Sequence, residues 1–435
     1  MKKTCVLIFP VLLAITAFPQ QAVPKPTDPL APGGLATVLT AASSAQSVIN
    51  AQAMVARNPK SSDGYTVLGF ALCHQAEEIS DAGLYAQADE ALKKALELTP
   101  NDFEAEKGRV CVALGRHEFA HALDMATALN KRVPDDVMVY GMLVDANVAL
   151  GNYGEAEKAG QWMLNLRPGN TPALIRAARL REVFGDQEGA IELLRMVLDA
   201  AAPGDVERRV NTLSQIAHLN LEIGNLDTAE LELKEALTIL PNDRNALNYE
   251  AQLCRVQGRP AEAVQLLSQS YKAAPELETS YKLAEAMDAA GMKDAAKAAF
   301  AEFERQAQAE SSHDANANRE LIFYYADHAN QPARALQVAQ EEASRRHDVY
   351  ILDAYGWALH KNGRDAEAEK QLERAMKVGV RDASIFYHAG EIELKLGNVA
   401  HAEHDFRAAA EMNSIHSQEA RVALTTLQSA RDAAR

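Results

Sequence analysis

His117-Glu118-Phe119-Ala120-His121 spells H-E-x-x-H. On a helix, residues four apart share a face, so this spacing offers two imidazoles to one zinc ion and a carboxylate beside them as general base. A catalytic zinc also needs a third protein ligand and an open coordination position. No third His follows at the spacing such centres use, and Asp124, Asp135 and Asp136 are weak substitutes. A second pair, His401 and His404 followed by Asp405, could also hold a metal. It falls on the solvent-facing stretch of a helix, so an ordinary exposed pair is the simpler reading. No phosphate-cradling glycine loop, Gly-x-Ser-x-Gly elbow or Cys-x-x-Cys occurs. Cys73, Cys111 and Cys254 are an odd, scattered set, read as small buried thiols and not as a disulfide framework.

The elements that would position these residues are set by a recurring pair, a turn residue followed five positions later by Ala. The pairs are Gly83/Ala88, Gly115/Ala120, Gly151/Ala156, Gly185/Ala190, Gly224/Ala229, Gly258/Ala263, Gly291/Ala296, Asn330/Ala335, Gly363/Ala368 and Gly397/Ala402. Successive turns lie 32, 36, 34, 39, 34, 33, 39, 33 and 34 residues apart. A period near 34 predicts a solenoid of stacked helix pairs. The H-E-x-x-H motif then opens the second helix of unit two, with Ala120 as that unit's packing alanine. That placement argues against a catalytic centre.

One repeat shows why. Leu352, Tyr355, Gly356 and Leu359 form an apolar stripe before Gly363, and Ala366, Ala368, Leu372, Ala375 and Met376 form a second after it. Gly363 is expected to supply the positive φ that ends the first helix. Ala368 is small because the two helices cross there. Gly356 and Gly390 play the same part from the other helix, as do Ala178, Ala217, Ala251 and Ala284 in other units. Pro100, Pro134, Pro168, Pro203, Pro241 and Pro275 close second helices, which proline cannot continue.

This combination of small residue, Gly turn, Ala and closing Pro resembles the tetratricopeptide repeat over roughly residues 62–415. The order in the second half also resembles exported bacterial proteins built of many such repeats. The large aromatic near each unit's start is mostly Leu or absent, and the last four units lack the closing Pro. The resemblance implies an all-α, right-handed superhelical solenoid of about ten repeats, with capping helices at 35–58 and 416–435 and the array over 59–415. It also implies that first helices line a concave face, with side chains ten and six residues before each turn pointing inward. Those are Ile175 and Arg179 (with Arg176 adjacent), Ser214 and His218, Asn248 and Gln252 (with Arg255 one turn on), Tyr281 and Glu285, Glu320 and Tyr324, Asp353 and Trp357, and Tyr387 and Glu391. Arg176, Arg179 and Arg255 suit a carboxylate or peptide backbone. The Tyr, Trp and acidic positions suit a peptide carrying Lys or Arg. Trp357 stands out, because an exposed Trp is costly to keep without a partner.

Composition fits. Of 435 residues, 48% are apolar but only 6% aromatic, which suits Ala-rich helix packing, and no window alternates as a strand would. Lys2-Lys3 and the apolar run Val6–Ala17 read as a secretory leader over 1–18, an uncleaved anchor being the alternative. Five prolines follow in the spacer 19–34. The formal net charge of −16 disfavours nucleic acid and anionic membrane as partners. The sequence thus predicts an exported, periplasmic or secreted, non-enzymatic scaffold without cofactor or metal. Its concave groove would take peptide segments or partner proteins. A zinc metallopeptidase at His117-Glu118-x-x-His121 and a structural subunit acting through its convex face are the alternatives.

Overall fold

The computed structural model describes residues 44–79, 81–310, 318–412 and 414–433. The predicted leader, the spacer and residues 35–43 of the first capping helix lie outside them. Ten helix pairs follow one another: Ser62–Ile79 with Gly83–Leu98, Phe103–Gly115 with Phe119–Arg132, Val137–Ala149 with Tyr153–Leu166, Thr171–Val183 with Gln187–Ala200, and Val206–Glu222 with Leu226–Ile239. Units six to ten pair Arg244–Val256 with Pro260–Ala273, Leu277–Ala289 with Lys293–Glu310, Asn318–Phe323 with Pro332–Ala343, Val349–Lys361 with Asp365–Met376, and Ala383–Leu396 with Val399–Glu411. In unit eight the first helix runs on as a π turn, Tyr324–His328. No strand occurs among the described residues.

Each first helix packs on its own second helix, and in most successive units, unlike the second helices, the first helices also pack on one another, which puts them on the inner side of the array. Ser44–Arg57 lies against the first helix of unit one, and Ile415–Ala433 against both helices of unit ten. Both ends of the stack are therefore covered by an extra helix, as an apolar end face requires.

The starts of the first helices carry a signal as regular as the turns. Asp102, Asp136, Asn170, Asp205, Asp243, Asp348 and Asp382 each accept backbone N–H groups two or three residues ahead. Such a cap satisfies donors that the helix leaves orphaned. In five units it lies two residues after the closing Pro, so Pro stops one helix and the acid or amide starts the next.

The turn-to-Ala register holds in most units and needs correction in two. Gly151, Gly185, Gly224, Gly258, Gly291, Gly363, Gly397 and Asn330 all have positive φ. Gly115 does not; His117 takes the left-handed conformation instead, at φ 57°. The buried alanine of unit two is accordingly Ala122, while Ala120 is exposed. Gly115 is small for another reason: a Cβ there would sit 2.1 Å from the Tyr85 ring. In unit one, Gly83 opens the second helix and donates its N–H to Asp81.

The array does not stay open. Six units on, the superhelix returns to itself, and units nine and ten lie against units three and four. The His347 N–H donates to the Ala149 carbonyl at 2.8 Å, and the Val349 N–H to the Tyr153 hydroxyl at 2.9 Å. Gln187 donates to the Arg381 carbonyl at 3.3 Å. Val148, Tyr153 and Val183 share one apolar cluster with Val349, Val380 and Ile385. Each buried aliphatic side chain there contributes about 1.5–3 kcal/mol. The turn of unit four makes the tightest approach. A Cβ on Gly185, whose φ is +77°, would lie 2.3 Å from the Gly379 carbonyl oxygen.

Gly258 supplies the control, since it has nearly the same φ, +74°, and open space around it. Ala at either position carries the left-handed cost of about 1–2 kcal/mol. Gly185→Ala must also separate units four and ten. Its thermal midpoint should fall clearly further than that of Gly258→Ala, as measured by circular dichroism; equal falls would refute the tight approach.

Candidate functional site

The candidate site is the inner face that this closure encloses. Side chains of first helices from units four to ten converge there, and their charges act on one another across the turn. Burial raises the carboxyl pKa of Glu182 and Glu222 in units four and five, and the Asp382 charge of unit ten adds to it across the turn.

Most of the inward residues anticipated from sequence are present, but they hold one another. Arg176 makes a forked pair with Asp145 at 3.0 and 2.5 Å and reaches the Gly141 carbonyl. Arg255 pairs with Glu285 at 3.2 Å, one unit along. Asn248 is buried and donates to Thr279 at 2.9 Å. Gln252 is half-buried beside it. His218 stacks on Tyr249 with ring centroids 4.6 Å apart.

Three of the four inward aromatics, Tyr281, Tyr324 and Trp357, belong to the core. Tyr281 packs on Phe300 and Phe303. Tyr324 donates to Glu304 of the preceding second helix at 3.2 Å. Trp357 is 6% exposed, donates its indole N–H to Asp327 at 2.9 Å and stacks on His388 at 4.1 Å, with the Lys361 ammonium over its ring. The expectation of an exposed Trp357 is therefore overturned. The register placed it on the inner face, but the neighbouring unit covers it. The chain's other tryptophan, Trp162 of unit three, is the exposed one at 47%.

Arg179 differs from Arg176 and Arg255. It is exposed, lies near Glu182, and has no ion-pair partner within 4 Å among the described residues.

Three residues meet in a way the sequence reading did not anticipate. His218 Nε2 lies 3.3 Å from Glu222 Oε1 and 3.9 Å from Glu182 Oε1. The signal was available: His218 and Glu222 are four apart on one helix, and Glu182 ends the inner helix of the unit before. Burial pushes the His218 pKa down to about 4, with the Lys282 charge adding to it. Burial raises Glu222 well above the usual carboxylate range, and the charges of Glu182 and Asp382 raise it further.

The H-E-x-x-H motif does not form a two-imidazole helix face. His117 is a left-handed turn residue, Glu118 is the N-cap, and the helix starts at Phe119, on which the His117 ring stacks. His401 and His404 are both exposed, and His404 Nδ1 sits 2.9 Å from its neighbour Asp405.

Spacing near 34, helix pairs joined by left-handed turns, and a buried alanine at every crossing settle the architecture. The array is a solenoid of tetratricopeptide type. No protein-family model matches the chain, and no curated protein does. Solved structures similar to this solenoid include the APC/C hetero-tetramer Cut9-Hcn1, with 13% identity and a TM-score of 0.44 over 74% of this chain and 55% of that one. The type IV pilus biogenesis factor PilW matches at 14% identity and 0.40, over 49% of this chain and 96% of that one. The thermophilic protein TTC0263 of Thermus thermophilus matches at 22% identity and 0.37, over 45% and 99%. This chain therefore spans about half the length of the Cut9-Hcn1 chain it matches.

Glu320 gives the interior a measurable pH signature. Burial, then the nearby Glu278 charge, pushes its pKa up to about 7 from the ordinary 4.5. The folded state thus holds this proton more tightly than the unfolded chain. Its stabilising contribution is complete below about pH 4.5 and is lost as pH rises through 7. Glu320→Gln should flatten the fall in thermal midpoint between pH 5 and 8. Parallel profiles for variant and wild type would contradict the assignment.

Proposed function

We propose that this chain is a non-catalytic scaffold that holds an acidic or carboxylate-ended peptide segment of a partner protein against its inner face, in the cell envelope. The observation that carries this reading is Arg179. It is an exposed guanidinium on a face where the other arginines are already paired, and a carboxylate is the ligand its fork fits. The envelope location is supported by the leader-like charge and hydropathy of residues 1–18. The unformed H-E-x-x-H geometry supports a role without catalysis.

A second reading, a structural subunit that acts through its convex face, draws on different residues. Trp162 and Met196 are both exposed and stand six residues after Ala156 and Ala190, the same register of adjacent second helices. An exposed Trp and an exposed Met at the same register are the kind of apolar residues that partners cover.

The two readings separate in one experiment, affinity capture of partners from envelope extract with the full chain as bait. Loss of one charge-assisted hydrogen bond costs about 1.5–3 kcal/mol, roughly a tenfold to hundredfold loss of affinity. Arg179→Glu should lower recovery of the main partner by that order, and Trp162→Ala should leave it unchanged. The reverse result would select the convex face and sink the inner-face reading.

A further inference from the structure

We propose that Glu182, His218 and Glu222 form a binding site for one divalent transition-metal ion of the zinc type, bridging units four and five. The donor set is one imidazole and two carboxylates, with one ligand atom from each residue, all within 4.8 Å of one another. Zinc binds imidazole nitrogen and carboxylate oxygen at about 2.0–2.2 Å, so ligand atoms around a tetrahedral ion lie about 3.4 Å apart. His218 Nε2 and Glu222 Oε1 are already at 3.3 Å, and Glu182 Oε1 needs to close only slightly from 3.9 Å. Solvent supplies the fourth position.

The site is built rather than scattered. His218 and Glu222 are one helical turn apart on Val206–Glu222, which fixes their common direction. The imidazole is held flat against the Tyr249 ring, 17° from parallel, so its Nε2 edge stays aimed at the carboxylates. The Gln187 side-chain amide beside Glu222 favours its charged form. Among the described residues, His218 is the only cationic or imidazole group within 4 Å of either carboxylate. Arg179 acts on Glu182 through its charge but makes no ion pair with it within 4 Å. Two carboxylates gathered around one imidazole, with no arginine or lysine between them, are the arrangement that a dication completes.

Such an ion would pin the joint between units four and five beside the place where Asp382 of unit ten comes in. It would leave the peptide-docking role of Arg179 intact, so this site stands or falls independently of the inner-face reading.

The test is zinc titration of the purified, metal-stripped full chain by calorimetry, with competition by a chromophoric chelator. One equivalent should bind and raise the thermal midpoint. Cobalt(II) in its place should give the visible band of a four-coordinate site. Changes beyond the ligand shell alone weaken such sites about 10–100-fold. His218→Ala, which removes a ligand, should weaken binding by more than about 100-fold, and Glu222→Gln should act in the same direction. The double variant His401→Ala/His404→Ala should bind like the wild type. Failure of the wild-type chain to take up one saturable equivalent would overturn the proposal whatever the variants do. So would retention of binding in His218→Ala, or its loss in the His401/His404 variant.

Discussion

The contact between the turns of units three and four and the segments that lead into units nine and ten governs the rest of the molecule. A stack of helix pairs has no intrinsic reason to stop curling, and each unit touches only its neighbours. Here the curl brings Gly151 and Gly185 onto the backbone at His347 and Gly379. The two sides then share hydrogen bonds and an apolar cluster. That converts a one-dimensional array into one with long-range contacts, and its inner face from an open groove into an enclosed surface.

Enclosure explains the electrostatics. Ionisable groups from seven units are packed inward, and burial is the largest cause that moves the pKa of Glu182, Glu222, Glu320 and His218. Where a cation and an anion fall one unit apart, as with Arg255 and Glu285, they neutralise each other. Where two acids fall together without an ion-paired arginine or lysine, as at Glu182 and Glu222, burial and their mutual repulsion favour the neutral form instead. The same geometry produces both the pairs that silence inner-face residues and the triad that gathers around His218.

The fold was largely legible in the sequence, because Gly, Ala and Pro act locally: a positive φ, a helix crossing and a helix stop each need one residue type. Even the register error in unit two has a local cause. His117 adopts the left-handed backbone that Gly115 was expected to supply, and moving the pair to His117/Ala122 restores a spacing of 34 on both sides. The site was less legible. The ruler of ten and six residues before the turn includes His218 and Arg179 among its positions. It could not tell that Tyr281 would be covered by its own second helix and Tyr324 and Trp357 by adjoining units, nor that Trp162 would be left outside. Those outcomes depend on curvature, a property of many units together. Closure between residues about two hundred positions apart left no local mark, since Gly151 and Gly185 look like any other turn glycine.

Curvature is therefore the quantity to measure. Spin labels at Glu188→Cys and Lys377→Cys, in a chain whose native cysteines are replaced by alanine, flank the approach of Gly185 to Gly379. Pulsed dipolar spectroscopy should give one short, narrow distance population. A broad distribution centred at long distance would show an open superhelix and contradict the enclosed inner face.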